Sequence, residues 1–409
     1  MRINILIVCL FAVVLRILWA YFIPVIPVSD SAAYDVFAQN IWLHGTYGWE
    51  IEAPSSYWPV GTAAIYSGFY ALFGHSYVPI VVLNICCTVG ILIYIRKLTE
   101  RYFDSSTLGL YSALAVAFWP TGIYFTTVLA SELPYTFLIL AGFYYFTMPD
   151  RKCFKYGLIA GLIFAAAYYI RPLAVVPLGI AVFSLYLRLE QKKIAICRGI
   201  VSVLVLVTLV APWAYRNYVL YDHFLPMSSN GGATLWMGNH SGSNGSYSQL
   251  PQNVAGLNEY ERDKKLKRDA IAYIKQEPLA FIVRTSKKFV TFHLRETIGV
   301  TWNEDGIEKR FGQEVVLPLK VLSQSYWSIA FILSILGLIL YYKRNGFWPT
   351  VSNPFVLLWI SSAVIHSIIV SQDRYHIPIA PLIFVFTINC LHSIRNEIIN
   401  NKYEAKNGT

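Results

Sequence analysis

The feature that most constrains this chain is a series of long apolar stretches separated by short clusters of lysine and arginine. A helix that crosses a bilayer needs roughly 20 predominantly apolar residues. Candidate spans fall at 3–25, 78–95, 107–125, 127–147, 156–170, 172–187, 199–215, 321–342, 351–370 and 376–394. By that length criterion the chain has about ten spans, plus or minus two. Of its 409 residues, 56% are hydrophobic and 14% charged, against about 25% charged in soluble domains. A mean hydropathy of +0.48 excludes an ordinary soluble enzyme and a disordered chain alike. The expected fold class is an all-α polytopic membrane protein.

Basic residues in short loops mark the cytoplasmic side. One side holds Arg2, then Arg96, Lys97 and Arg101, then Arg151, Lys152 and Lys155. It continues with Arg188, Lys192, Lys193 and Arg198, then Lys343 and Arg344, and ends with Arg395, Lys402 and Lys406. The short loops opposite carry only Arg171 and Arg374. Both termini are therefore expected in the cytoplasm. The net charge of +10 follows membrane topology, so nucleic acid is not indicated. The first span contains Arg16 and is followed by no small-residue cleavage site, so it is expected to remain as an anchor. The domain expectation is one membrane domain over 1–394 with a short cytoplasmic tail, 395–409. It includes a first extracytoplasmic loop, 27–77, and a large one, 216–320. None of the six cysteines falls in those outer segments and none has zinc spacing. Neither an extracytoplasmic disulfide nor a cysteine metal site is expected.

Within the first loop, Tyr34, Phe37, Ala38, Ile41 and Trp42 recur at helical spacing, which predicts an amphipathic helix at the interface with Asp35 on its solvated face. Residues 60–74 are apolar but too short to span and predict an interfacial or re-entrant helix. Residues 230–247, rich in Gly, Ser and Asn, predict irregular chain. Residues 257–296 alternate basic and apolar positions, as helices at headgroup level do.

Ionisable residues at the edge of a membrane are functional candidates by default. Here they are Arg16, Asp30, Asp35, Glu132, Arg171, Arg216, Asp373, Arg374 and His376, all at the expected outer ends of spans or in adjoining loops. Arginine forks suit phosphate oxygens, and a nearby carboxylate suits removal of a hydroxyl proton. Each residue also has a plainer role. Asp30 between Ser29 and Ser31 suits a helix cap, as does Glu132 ahead of Pro134, and Arg16 suits snorkelling to the interface. Arg171 and Arg216, at helix ends, suit headgroup pairing.

Six segments in order resemble the GT-C superfamily of polytopic glycosyltransferases, in the bacterial branch related to protein O-mannosyltransferases and aminoarabinose transferases. They are SDSAAYDVFAQNIWLHG (29–45), YWPVGTAAIYSGFYALFG (57–74), LASELPYTFLIL (129–140), GLIAGLIFAAAYYIRP (157–172), PWAYRNYVLYDHFLPMSSNGGATLWMGN (212–239) and SQDRYHIPIAPL (371–382). The resemblance implies a polyprenyl-phosphate-sugar donor used at the extracytoplasmic face of the bacterial inner membrane. It implies inverting transfer of one sugar to an acceptor hydroxyl on a glycan, lipid or protein. Asp30 would be the catalytic base, with Glu132 the second catalytic acidic residue. Arg171, Arg216 and Arg374, with Tyr375 beside them, would bind the donor phosphate. Many relatives carry an acidic pair in the first loop where this chain has Asp30-Ser31, so a divalent metal is doubtful and no other cofactor is implied. The competing readings are a glycan polymerase or ligase of GT-C type and a transporter or flippase for a lipid-linked sugar. Absent repeat symmetry and charges gathered at one face argue against transport.

Overall fold

The computed structural model describes residues 4–187 and 191–407, and among them every regular element is helical. Arg2 and Arg188, and the side chains of Lys402 and Lys406, lie outside the described residues. In chain order the helices are α1 (Ile5–Phe22), α2 (Asp30–His44), α3 (Gly61–Phe73), α4 (Val78–Phe103), α5 (Ser106–Phe118), α6 (Pro120–Tyr124) and α7 (Glu132–Phe146). There follow α8 (Cys153–Ile170), α9 (Val175–Tyr186), α10 (Lys192–Tyr221), α11 (Gly231–Gly238), α12 (Glu259–Gln276) and α13 (Pro278–Leu294). The last are α14 (Ile298–Thr301), α15 (Glu304–Phe311), α16 (Val316–Asn345), α17 (Phe347–Val351), α18 (Pro354–Ile368) and α19 (Ala380–Asn407).

Six helical stretches among the described residues are long and apolar enough to cross a membrane, and a seventh arises if the pair bent by 61° between Phe118 and Pro120 is one span. The stretch expected to span at 107–125 is therefore bent, because Pro120 has no N–H to continue the ladder of α5. Expected spans at 127–147, 172–187 and 351–370 appear as shorter apolar helices, α7, α9 with its preceding turn, and α18. Helix α19 continues past the expected end of its span to Asn407. Leu6, Leu10, Ile200, Leu204, Val207, Ile329 and Ile332 are exposed on the long helices. Such faces are unfavourable in water and matched to hydrocarbon, so this is an integral membrane protein.

Small residues set how closely the helices approach. Gly157 and Gly161 lie one turn apart on α8 against α10, and a Cβ on Gly161 would stand 2.9 Å from the Ser202 Cα. This is the glycine-xxx-glycine contact that lets apolar helices gain dispersion energy where no hydrophobic driving force acts. Cys153, at the start of α8, and Cys197, near the start of α10, form a disulfide, a pairing not raised by the sequence.

Three local expectations change. Arg16 does not snorkel: it is 1% exposed and donates to Thr88 Oγ1 at 3.2 Å, Ala12 O at 3.2 Å and Ala117 O at 3.1 Å. The broken end of α5 leaves carbonyls without a following turn, and this guanidinium serves one of them. Asp35 is buried rather than solvated, accepting from Tyr70 Oη at 2.6 Å, Tyr77 Oη at 3.0 Å and Gln39 Nε2 at 3.1 Å, with His75 Nε2 at 2.9 Å. It ties α2 to α3 and the turn beyond. Part of the glycine-rich segment is helical, as α11. There Ala233 and Met237 are buried, Ala233 beside Val254 and Leu266, and the Asp263 carboxylate accepts from the Gly232 N–H in the first turn. Residues 60–74 do form a helix, α3, as do most of 257–296.

If the close α8–α10 contact holds the bundle, Gly161→Val should destabilise it by about 1–3 kcal/mol through overpacking. Gly179→Ala, where a Cβ meets nothing within 4 Å, should leave stability unchanged or slightly raised. Thermal denaturation of the two variants in detergent, followed by size-exclusion profile, checks this; equal loss in both contradicts it.

Candidate active site

Four charged side chains converge from four helix ends. Asp30 opens α2, Glu132 opens α7, Arg171 lies between α8 and α9, and Arg374 sits in the 3-10 stretch Asp373–Ile379 ahead of α19. Helix ends suit this placement, since carboxylates in a first turn are favoured by the helix dipole. Pro172 ends α8 and turns Arg171 inward. Arg374 Nη1 lies 2.7 Å from Asp30 Oδ2 and 4.0 Å from Glu132 Oε1. Arg171 Nη2 is 2.5 Å from the same Glu132 Oε1, and its Nε donates to Ser131 Oγ at 2.9 Å. The charges alternate along one chain: Asp30, Arg374, Glu132, Arg171. Burial pulls the Arg171 guanidinium down, but the Glu132 carboxylate together with Tyr34 and Tyr135 outweighs it and the net shift is upward. Arg374 Nε donates to Gln372 Oε1 at 2.9 Å, and its guanidinium lies 4.9 Å from the Trp302 ring centre. Among the described residues, Arg171 Nη1 and Arg374 Nη2 have no hydrogen-bond partner.

Ser29, immediately before Asp30, has φ 54° and ψ −127° and makes no side-chain cap. A β-carbon is strained there, by about 1–3 kcal/mol for a residue in a sparsely populated region. The strained turn aims the first residue of α2 at the cluster.

Asp30, Arg171, Arg374 and Tyr375 line a cavity of about 490 Å³. Its walls come from Tyr57, Trp58 and Pro59 of the first loop and from Asn230, Thr234 and Tyr247 of the second. Arg171, His366 and Tyr375 also border an apolar crevice that runs between α7, α9 and α18, past Ile139, Val176 and Leu358. Tyr375 stacks on His366 with ring centres 4.4 Å apart, at the junction of the two spaces.

Glu132 is not among the cavity-lining residues; it is 1% exposed and stands behind the two arginines. Arg216 is not brought to the cavity either. Its Nη1 donates to Ser55 O at 2.8 Å and Ser56 Oγ at 2.7 Å, bracing the loop that leads to Tyr57 and Trp58. Glu259 completes that brace, accepting from Ser55 Oγ and the Ser56 N–H, each at 2.6 Å. Asp373 and His376 point away from the cavity into the packing around Thr297 and Glu296. His366 escaped the sequence reading, although a histidine in the last turn of an apolar helix is the kind of intramembrane ionisable group that marks a site. Among the described residues no three His, Cys, Asp or Glu side chains gather closely enough to hold a metal ion.

The strain at Ser29 makes a stability prediction. Ser29→Gly should raise the melting temperature, because glycine adopts this conformation freely, and Ser29→Val should lower it. A calorimetric scan in detergent decides, and a lower melting temperature for the glycine variant contradicts the assignment.

Residues 58–215 match the family model of the dolichyl-phosphate-mannose-protein mannosyltransferases. No curated protein matches the chain significantly in sequence. In fold, the chain is similar to the archaeal oligosaccharyltransferase AglB from Archaeoglobus fulgidus in complex with an inhibitory peptide and a dolichol-phosphate. The TM-score is 0.57 at 14% identity, over 98% of this chain and 51% of that one. The apo form of the Archaeoglobus fulgidus oligosaccharyltransferase gives a TM-score of 0.55 at 13% identity, with the same coverage. The chain thus spans about half the length of the solved proteins it resembles. The chain is thus similar in sequence over 58–215 to the mannosyltransferase family and in fold over nearly its whole length to the oligosaccharyltransferase.

Proposed function

We propose that this chain is an inverting glycosyltransferase that moves one sugar from a polyprenyl-phosphate-sugar donor to an acceptor hydroxyl at the extracytoplasmic face of a bacterial inner membrane, with both termini in the cytoplasm. The observation that carries this reading is the alternating chain Asp30–Arg374–Glu132–Arg171, in which Arg171 Nη1 and Arg374 Nη2 on the cavity wall have no partner among the described residues. Two guanidinium edges on one wall suit a phosphate. The apolar crevice beside that wall, about 30 Å³ in this structure, would take an isoprenoid tail by widening. The mannosyltransferase family match and the likeness to a protein solved with dolichol-phosphate support the same donor chemistry.

The chemistry needs little from the protein beyond alignment and charge. A sugar joined to phosphate already carries a good leaving group. Asp30 takes the proton of the acceptor hydroxyl, and the freed oxygen forms a bond to the anomeric carbon from the face opposite the phosphate. The bond from that carbon to the phosphate oxygen breaks with its electron pair on the oxygen, inverting the centre. Negative charge grows on the departing phosphate, where Arg171 and Arg374 wait already oriented. Glu132 holds the two cations at fixed spacing, so no reorganisation is required at the moment of transfer. Tyr57, Trp58 and Tyr247 offer ring faces on the side where an acceptor would enter.

Asp30→Asn should abolish transfer in isolated membranes while the protein inserts at its normal level. Arg171→Gln or Arg374→Gln should each lower the rate on the order of 10²–10³, the cost of losing one donor to developing charge. Near-normal transfer by Asp30→Asn removes Asp30 from the mechanism.

A further inference from the structure

The stretch that carries Arg374 and Tyr375 is gripped on both sides by one short segment of the large loop. After α13 ends at Leu294, Glu296 and Thr297 face Asp373 and His376, the residues that flank Arg374 and Tyr375. Thr297 donates its N–H and its Oγ1–H to Asp373 Oδ2, at 3.1 and 3.2 Å. The exposed Arg295 reaches the same oxygen at 3.5 Å. On the other side, the Glu296 carboxylate meets His376 Nε2, and both side chains are fully buried.

Each polar atom of the pair is accounted for. His376 Nδ1 faces the Phe292 carbonyl at 2.7 Å, and a carbonyl only accepts, so Nδ1 carries a proton. Glu296 Oε1 accepts from Trp119 Nε1 at 2.7 Å. The Glu296 N–H donates to Gln324 Oε1 at 3.0 Å, and Gln324 Nε2 returns a bond to Leu294 O at 2.7 Å. The His376 ring lies flat on Trp327, with centres 4.2 Å apart and planes at 10°. Trp327 Nε1 in turn donates to His293 O at 2.6 Å. A buried, hydrogen-bonded carboxylate–imidazole pair resists displacement, because a half-made pair would leave a polar group without a partner in an apolar interior.

We propose that Glu296 is a positioning residue for the candidate active site, acting through His376 to fix the backbone that aims Arg374 and Tyr375 into the cavity. The inference rests on the reading of Arg374 as a donor-phosphate ligand. Glu296 never meets the reactants. It sets the place of a group that does, and misplacement of such a group by about 1 Å can cost about a hundredfold.

The amide variant gives the test its edge. With Nδ1 protonated, a neutral His376 presents Nε2 as an acceptor, and Glu296→Gln can donate its amide to it while still accepting from Trp119. Glu296→Ala can do neither. Binding of a polyprenyl monophosphate to the purified protein in lipid nanodiscs, together with donor and acceptor KM, should separate the variants. Glu296→Ala should weaken that binding and raise donor KM by about tenfold or more, with acceptor KM little changed, as expected for a supporting residue around a binding group. Glu296→Gln should stay within about threefold of the unsubstituted protein. If Glu296→Ala does not fold, Thr297→Val, which removes one of the two bonds to Asp373, should show a smaller loss confined to the donor. Unchanged phosphate binding in the folded alanine variant, or in Thr297→Val if alanine fails, overturns the proposal. So does a glutamine variant as impaired as alanine, because glutamine keeps the hydrogen bond to His376 through which the positioning is argued. Arg374→Gln binding the phosphate at full strength would defeat the underlying assignment of Arg374, a different outcome from failure at Glu296.

Discussion

Everything at the candidate site depends on charge being paired at the ends of apolar helices. An isolated carboxylate or guanidinium buried there is costly, and breaking a buried pair costs about 3–5 kcal/mol because one charge is left uncompensated. Asp30, Arg374, Glu132 and Arg171 meet this constraint by alternation, so that each has a neighbour of opposite sign. The four residues come from widely separated parts of the chain, and their pairing holds α2, α7, the α8–α9 break and the start of α19 at one place. The same alternation leaves Arg171 Nη1 and Arg374 Nη2 without a partner among the described residues, and on the proposed reading these edges take the donor phosphate.

Around this cluster the polar side chains that do not line the cavity act on the walls that do. Arg216 and Glu259 brace Ser55 and Ser56, two residues ahead of Trp58. Lys288, buried on α13, donates to Asn239 Oδ1 at 3.0 Å and Ile368 O at 2.8 Å, joining the ends of α11 and α18. Both of those ends continue into cavity lining, through Met237 and Ile369. The large loop thus serves as a scaffold for the cavity, through the inward contacts of Arg216, Glu259 and Lys288.

Much of this was legible in the residues themselves. Asp30, Glu132, Arg171 and Arg374 stand out because an ionisable group at the end of an apolar run has few reasons to be there. Arg216 satisfies the same criterion yet lies outside the cavity, since position along a helix says nothing of which neighbour a long side chain reaches. Arg16 and Asp35 look solvated by spacing, but their partners, Ala117 and Tyr70, are supplied by helices distant in sequence. The helix α11 was hidden by its glycines, whose poor propensity is overridden by burial of Ala233 and by Asp263 in its first turn. Glu296 carried no local signal at all, because its meaning comes only from His376, eighty residues later.

The central claim is tested most directly by a structure of this protein in lipid with a polyprenyl phosphate bound. The account places the phosphorus within hydrogen-bonding reach of Arg171 and Arg374, with the isoprenoid chain in the crevice between α9 and α18. A phosphate held elsewhere, with the Asp30–Arg374–Glu132–Arg171 chain untouched, would contradict it.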